Sequence, residues 1–206
     1  MPSKQFETLD RADLQPHPID QFNLWFQQAE LKEPLLPNAM CLSTVNLQYE
    51  VSARMVLLKS FDKKGFVFYT NYNSAKAKSL SEVPNAALVF WWPHCDCQVR
   101  VAGKVEILEA HLSDEYFATR DKWARLGALV SKQSEVIESR EEMLNKIKLL
   151  EAQNVDEKNI VRPENWGGYR LVPNRMEFWQ ERDHRLHDRF EYRKLGEDWE
   201  IVRLAP

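Results

Sequence analysis

The densest group of chemically active side chains in the sequence lies between residues 179 and 189. Arg185, His187 and Arg189 occupy alternate positions there, shortly after Trp179. Guanidinium forks pair with phosphate or carboxylate, and imidazole can exchange a proton near neutral pH. A solvated, charged hairpin between two strands would have the same composition. The segment therefore favours an anion site only if other segments supply the rest of that site.

Two further segments carry similar groups. An apolar run over residues 54–59 has Arg54 at one end and Lys59 at the other, and the alternation of side chains along a strand predicts that they point to opposite faces. Thr70 and Lys76 flank a predicted helix start, where free backbone N–H groups favour phosphate. Two simpler interpretations remain open: a solvated strand end for the first segment and an ordinary capped turn for the second.

A third source of anion-binding groups lies further along the chain. Tyr116 and Arg120 are four residues apart, so they share one face of a predicted helix and could grip an anion together. Packing of the tyrosine ring on the arginine stem explains the same spacing. Gln133 and Ser134 add an amide and a hydroxyl, which are also common loop residues.

Two other kinds of chemistry are poorly supported. His94, Cys95 and Cys97 resemble half of a zinc site, but the sequence has no second pair of ligands at suitable spacing, so we expect no metal. We find neither a Ser-His-Asp order nor paired carboxylates at the spacing of a hydrolase. Cations, hydroxyls and aromatic rings in separate segments instead suit a flat, phosphorylated, aromatic ligand.

The composition is that of an ordinary globular domain. The chain has 206 residues, of which 44% are hydrophobic and 29% charged, and a formal net charge of −3. This charge provides no basic field, so we expect neither nucleic acid nor a membrane as a partner. Three cysteines without a regular framework, and an N-terminus without an apolar leader, predict a soluble cytoplasmic protein.

Hydrophobic periodicity predicts a mainly β fold with helical insertions, arranged as an antiparallel barrel. Residues 1–17 are expected to form a flexible N-terminal arm, and residues 18–206 a single domain. Helices are predicted to begin near Pro18, Ala75, Ser113 and Glu135. Strands are predicted over residues 39–47, 51–60, 66–70, 85–92, 97–108, 168–172, 175–179, 189–194 and 199–204.

Taken together, these segments resemble the pyridoxine/pyridoxamine 5′-phosphate oxidase family over almost the whole chain, from about Asp13 to Pro206. The motifs that carry the resemblance are residues 54–59, 65–72, 84–87, 98–100, 133–134, 166–168, 177–180, 185–189 and 203–206.

The resemblance implies an antiparallel FMN-binding split β-barrel that forms a homodimer with FMN at the subunit interface. By matched position, the phosphate region of FMN would be held by Arg54, Lys76 and Ser134, with Thr70 and Gln133 nearby. The rest of the cofactor site would be formed by the backbone of Met55, Val56, Leu57 and Leu58 and by Lys59, Tyr69, Gln98, Trp179 and Arg189.

The resemblance also implies a small phosphorylated pyridine as substrate. The substrate phosphate would contact Lys59, Tyr116 and Arg120, and the ring would lie against Arg185, Leu186 and His187, with Arg185 and His187 as catalytic residues. The implied reaction converts pyridoxamine or pyridoxine 5′-phosphate into pyridoxal 5′-phosphate. Oxygen would be the electron acceptor, H2O2 a product, and NH3 a further product from the amine. Arg54 and Lys59 could then face apart because they serve two phosphates.

The sequence departs from the family pattern at several positions. Ala75, Ala77, Cys97, Ala102 and Ala124 stand where the family usually has Arg, Gly, Arg, Glu and Ser. We therefore expect weaker binding of FMN or substrate than in a member with the full motif. Two alternatives remain open: an FMN oxidase of another aromatic metabolite, as in phenazine biosynthesis, and a non-catalytic protein that binds flavin or pyridoxal phosphate.

Overall fold

The structure is a computed structural model that describes residues 8–152 and 159–206. Its strands are β1 (Ala39–Val45), β2 (Val51–Leu57), β3 (Ser60–Asp62), β4 (Gly65–Asn71), β5 (Asn85–Trp92), β6 (Cys97–Ile107), β7 (Trp166–Gln180), β8 (Asp188–Leu195) and β9 (Asp198–Arg203). Its α-helices are α1 (Pro18–Lys32), α2 (Ala75–Glu82), α3 (Ala110–Ala118), α4 (Lys122–Val130) and α5 (Arg140–Ala152).

All of these strands belong to one antiparallel sheet that branches at β7. The main path runs in the order β2-β1-β5-β6-β7-β4-β3, and β8 pairs with β7 and with β9. One edge of β7 pairs with β6, whereas the other edge pairs first with β4 and then with β8. The branch splits the sheet, so the predicted mainly β, antiparallel fold with helical insertions is confirmed.

The predicted strands at 168–172 and 175–179 are one continuous strand, β7. Pro173 interrupts the sequence pattern because it cannot donate to a ladder. The pairing with β6 shifts at Gly103 and leaves Asn174 as the extra residue of a β-bulge, which lets the strand bend and continue. Gly103 permits this close approach, since a Cβ there would lie 2.0 Å from a backbone oxygen of β7.

The helical insertion after β6 differs from its prediction. Helix α3 begins at Ala110, and Ser113 is not its cap. The Ser113 side chain is buried, and its hydroxyl oxygen accepts a hydrogen bond from the Gly168 N–H at 3.0 Å. Helix α4 was not predicted from the sequence. It starts where the Asp121 carboxylate accepts a hydrogen bond from the Ala124 N–H at 2.9 Å, a common N-cap.

The last helix starts later than predicted. The periodic apolar positions predict a helix from Glu135, but α5 begins at Arg140. The hydroxyl of Ser139 accepts a hydrogen bond from the Glu142 N–H, which sets the start of the helix. Residues 131–139 therefore remain an irregular segment beside the strand ends.

Helix α1 covers the core side of the sheet. Its Phe22 ring lies 4.8 Å from Phe66 of β4 and 5.0 Å from Phe90 of β5, in edge-to-face contacts. All three side chains are fully buried, and burying each contributes about 1.5–3 kcal/mol. The helix thus packs against β5 and against β4, whose end carries Thr70.

The described part of the N-terminal segment contacts the sheet. The Leu9 N–H donates to the Asp188 carboxylate at 3.0 Å, Leu14 is buried, and the Tyr192 hydroxyl donates to the Gln15 carbonyl at 2.7 Å. Residues 1–7 lie outside the described residues, so the flexible arm and the domain limits stay predictions. No helix within the described ranges is long and apolar enough to span a bilayer.

Candidate functional site

A large cleft opens at the ends of β2 and β4 and has a volume of about 930 Å³. Helices α2, α3 and α4 and the segment after α4 supply its other walls. The predicted site residues that line it are Arg54, Met55, Val56, Leu57, Lys59, Tyr69, Thr70, Lys76, Tyr116, Arg120 and Gln133. The structure therefore brings together four cationic groups from three separate segments.

At one end of the cleft, Lys76 is buried among neutral oxygens. Its ammonium nitrogen lies 3.1 Å from Thr70 Oγ1, 3.2 Å from Ser74 Oγ and 3.0 Å from Gln133 Oε1. Burial and, to a smaller extent, the nearby positive charge of Arg54 lower the pKa of Lys76 to about 8. A buried ammonium group without a carboxylate partner is unfavourable, so this end of the cleft suits an anion.

Arg54 is the second cation at this end. Its guanidinium donates to the Leu42 carbonyl and the Thr44 hydroxyl, both at 3.0 Å, and to the Ser52 hydroxyl at 2.7 Å. These acceptors orient the side chain without neutralising it, and burial lowers the pKa of Arg54. Within the described residues neither Arg54 nor Lys76 has a carboxylate within 4.0 Å. Two uncompensated cations this close together favour a doubly charged ligand.

The segment after α4 closes this end of the cleft. The Ser131 carbonyl accepts a hydrogen bond from the Asn71 side-chain amide at 3.2 Å. The Ser134 hydroxyl accepts one from the Ala75 N–H at 3.2 Å, at the first residue of α2. Ser134 adopts a positive φ of 75°, which turns its side chain toward the helix. Hydroxyl groups and free helix N–H groups complete a cradle of the kind that binds phosphate.

At the other end of the cleft, Arg120 lies against aromatic rings. Its guanidinium carbon is 4.6 Å from the centre of the Trp166 ring, and its Nη1 is buried without a hydrogen-bond partner among the described residues. Lys59 Nζ lies 5.7 Å from the Tyr116 ring, and that ring stacks on Tyr69 at 4.0 Å. A buried donor without a partner costs about 1–3 kcal/mol, which a ligand oxygen would recover.

Arg54 and Lys59, predicted to point to opposite faces, line the same cleft together with the intervening residues Met55, Val56 and Leu57. Strand β2 ends at Leu57, so the alternation of side chains does not continue to Lys59. The Leu58 N–H donates instead to the Asn38 carbonyl at 2.8 Å, and the Leu58 side chain is buried in the core. Leu58 thus does not line the cleft with its side chain.

A second group of predicted residues lies outside this cleft, at the far end of β7. Gln98 pairs with Trp179, and Trp179 pairs with Arg189, so the three stand in a row across β6, β7 and β8. The His187 ring lies 4.5 Å from the Trp179 ring. Trp166, at the first position of β7, faces the cleft, whereas Trp179 lies near the last position of the same strand.

The loop before β8 carries the two predicted catalytic residues. Arg185 is exposed and has a positive φ of 62° at the end of a short 3-10 turn, Asp183–Arg185. The neighbouring Leu186 is also exposed. The Arg182 N–H donates to His187 Nδ1 at 3.1 Å. Neutral His187 therefore carries its proton on Nε2, which is available to a ligand.

Sequence reasoning assigned no role to Glu177, which organises this second group. Its buried carboxylate accepts a hydrogen bond from Arg189 Nε at 2.8 Å and another from Arg100 Nη1 at 2.8 Å. This contact raises the pKa of Arg189. The sequence does contain a signal for this role, since Glu177 stands within an apolar run. A glutamate at such a position is expected to be buried, and a buried carboxylate needs a cationic partner.

Comparison with known proteins identifies the family. Residues 27–154 match a family model described as pyridoxamine 5′-phosphate oxidase. Residues 166–206 match a second model, described as the pyridoxine 5′-phosphate oxidase C-terminal dimerisation region. The chain belongs to the pyridoxamine 5′-phosphate oxidase family. The members of this family are oxidoreductases, and the second match supports assembly of this family member as a homodimer.

Relatives of this oxidase family cover nearly the full chain. The pyridoxine/pyridoxamine 5′-phosphate oxidase of Gloeothece citriformis is 51% identical over 96% of this chain and 92% of its own. The crystal structure of PhzG from Burkholderia lata 383, in complex with tetrahydrophenazine-1-carboxylic acid, has a TM-score of 0.90 and 29% identity over 97% of this chain and 98% of its own. A pyridoxamine 5′-phosphate oxidase-related, FMN-binding protein from Nostoc punctiforme has the same fold, with a TM-score of 0.72 and 18% identity over 90% of this chain and 97% of its own.

Proposed function

We propose that the protein is an FMN-dependent oxidase that converts pyridoxamine and pyridoxine 5′-phosphate into pyridoxal 5′-phosphate. The observation that carries the proposal is the division of the cleft into two cationic ends. Arg54 and Lys76 form one end, and Lys59 and Arg120 form the other. A phosphorylated flavin and a phosphorylated pyridine each need one such end.

The residues at the Lys76 end fit the phosphate of FMN. Within residues 8–152 and 159–206, Lys76 and Arg54 have only neutral oxygens as partners, and the Ser134 hydroxyl lies at the start of α2. A phosphate dianion would offset both charges, and charge-assisted hydrogen bonds of this kind contribute about 1.5–3 kcal/mol each. FMN bound there would supply the chemistry by accepting two electrons from the substrate and passing them to O2.

The residues at the Arg120 end fit the substrate phosphate. The buried Nη1 of Arg120 has no partner in the part of the chain that the structure describes, and Tyr116 and Lys59 offer a hydroxyl and an ammonium group beside it. The stacked rings of Tyr69 and Trp166, 5.5 Å apart, form an aromatic wall between the two ends. Such a wall favours flat ligands over extended ones.

Arg185 and His187 would act on the substrate ring from the partner subunit. Both lie at the far end of β7 from the cleft, in the region matched to the dimerisation model. Arg185 would orient the ring and offset negative charge on it. His187, with its proton on Nε2, would donate a hydrogen bond to the ring or transfer a proton.

The overall reaction balances with water and oxygen as co-reactants. Pyridoxine 5′-phosphate loses two electrons and two protons from its 4′-hydroxymethyl group, and O2 becomes H2O2. Pyridoxamine 5′-phosphate first gives an imine at the same carbon. Water then hydrolyses this imine to the aldehyde and NH3.

The test begins with the visible spectrum of the purified protein. Pyridoxamine 5′-phosphate is then added in air while aldehyde and peroxide are followed. We expect a yellow protein that forms both products, and Lys59→Ala or Arg185→Ala should strongly reduce their formation. A protein that stays colourless after addition of FMN would refute the proposal.

A second candidate is an oxidase of a phenazine precursor, because PhzG shares the fold at a TM-score of 0.90. The cations at the Arg120 end favour the phosphorylated substrate, since a phenazine carboxylate carries less charge. A yellow protein that oxidises dihydrophenazine carboxylates but neither B6 phosphate would favour this alternative. A yellow protein that oxidises neither class would be a flavin-binding protein.

A further inference from the structure

We infer that Trp91 is a further FMN-binding residue, in one cross-strand row with Gln98, Trp179 and Arg189, to which the family resemblance assigns the flavin. This inference rests on the proposed function and adds a ligand-binding residue to it. It would make Trp91 a direct contact of the flat isoalloxazine ring.

The register of the sheet places Trp91 in this row. Trp91 of β5 pairs with Gln98, Gln98 pairs with Trp179, and Trp179 pairs with Arg189. Residues directly opposite each other on neighbouring strands project to the same face of a sheet. The four side chains therefore share one surface, which crosses four strands spaced about 4.8 Å apart.

The rings of this surface are already in contact. The Trp91 and Trp179 rings are 5.9 Å apart at an interplanar angle of 60°, and the Trp179 and His187 rings are 4.5 Å apart. The three rings thus form a continuous row of contacts from His187, the predicted catalytic histidine, to Trp91. Tryptophan offers the largest flat apolar surface of any side chain, and heteroaromatic rings stack on it.

The exposure of Trp91 is not explained by the core. Its neighbours Phe90 and Trp92 are 0% and 1% exposed, whereas Trp91 is 50% exposed on the opposite face. The Trp91 ring adjoins Gln98 and Trp179, and the described part of its own chain does not bury it. Its surface is therefore available to a ligand. Amide and guanidinium groups of Gln98 and Arg189 on the same face can serve the polar edge of such a ligand.

The experiment measures FMN affinity rather than turnover. The purified protein is stripped of flavin and titrated with FMN, while flavin fluorescence and thermal unfolding are recorded. The variants are Trp91→Ala and Trp91→Phe. The matched control is Trp123→Ala, because Trp123 is 47% exposed on α4 and does not line the cleft.

We expect Trp91→Ala to weaken FMN binding about five- to a hundredfold, the range for loss of one aromatic stacking contact. The bound flavin should also fluoresce more strongly because a quenching indole ring is removed. Trp91→Phe should retain much of the affinity, and Trp123→Ala all of it.

An FMN affinity of Trp91→Ala within twofold of the unchanged protein would overturn the inference. Loss of FMN together with dissociation of the dimer on size-exclusion chromatography would overturn it as well, because Trp91 would then be a subunit contact. If the unchanged protein binds no FMN, the proposed function itself fails, so the two failures are distinguishable.

Discussion

The ammonium nitrogen of Lys76 lies 3.0 Å from the side-chain oxygen of Gln133, which joins the start of α2 to the segment after α4. The Thr70 hydroxyl lies 3.1 Å from each of these two atoms. Two regions that are distant in the chain, residues 70–76 and the segment that carries Gln133, therefore meet around one cation. This cation has neutral partners, so an incoming phosphate would supply its first negative charge.

Replacement of Lys76 should release the cofactor. In Lys76→Met the charge-assisted contact with the FMN phosphate is lost, which costs about 1.5–3 kcal/mol and lowers the affinity roughly ten- to a hundredfold. Titration of flavin-free protein with FMN measures this change. Lys78→Met is the control, because Lys78 lies on the exposed side of the same helix. Equal FMN affinity in the two variants would contradict the assignment.

The affinity for FMN should depend on pH through Lys76. Its pKa of about 8 is lowered by burial in the ligand-free protein. A phosphate dianion would favour the charged amine and raise this pKa, so binding takes up a proton above pH 8. FMN affinity should thus be constant near pH 7 and fall as pH rises through 8, by up to about tenfold per pH unit.

Isothermal titration between pH 7 and 9 measures this dependence, and the phosphate stays doubly charged throughout because its second pKa is about 6. The Lys76→Met variant should bind FMN weakly and equally at all of these pH values. A slope that persists in this variant would assign the titration to another group.

Replacement of Arg120 should affect the substrate and not the cofactor. Arg120→Met removes the buried donor Nη1 that has no partner in the described protein. We expect KM for pyridoxamine 5′-phosphate to rise at least tenfold, while the dissociation constant of FMN stays within about threefold. Steady-state kinetics and FMN titration provide the two values. Arg140→Met, on the exposed start of α5, should change neither.

Replacement of His187 should lower turnover without releasing FMN. Loss of a proton-transfer or hydrogen-bonding group at the reacting ring typically costs a factor of about 100 or more. We thus expect kcat of His187→Ala to fall by about that factor while the visible spectrum of bound flavin is retained. His111→Ala is the control, because His111 is exposed on α3. A change in KM alone would make His187 a binding residue only.

The sequence predicted most strands, because apolar runs between turn residues determine them. It predicted Arg54, Lys76 and Arg120 as anion ligands, and the fold brings them into one cleft. Helix α4 was missed although Asp121 provides a local N-cap signal, because a helix this short depends on packing against residues distant in sequence. Such tertiary contacts have no local signature.

The position of Lys59 beyond the end of β2 could not be predicted for the same kind of reason. Its position depends on where β2 ends, and the Asn38–Leu58 contact sets that end from another part of the chain. The role of Glu177 needed the pairing of β6, β7 and β8 to be known. Roles that the family resemblance implied for Ser134, Gln98 and Trp179 stay predictions.

The separation of the cleft from Arg185 and His187 along β7 has a genetic consequence. If each protomer of a two-fold dimer places its Arg185 and His187 at the cleft of the other protomer, each site is assembled from both chains. A mixed dimer of one Lys76→Met chain and one Arg185→Ala chain would contain one site with both defects and one site with none. Co-expression of two inactive variants should then restore up to about a quarter of the activity by intragenic complementation.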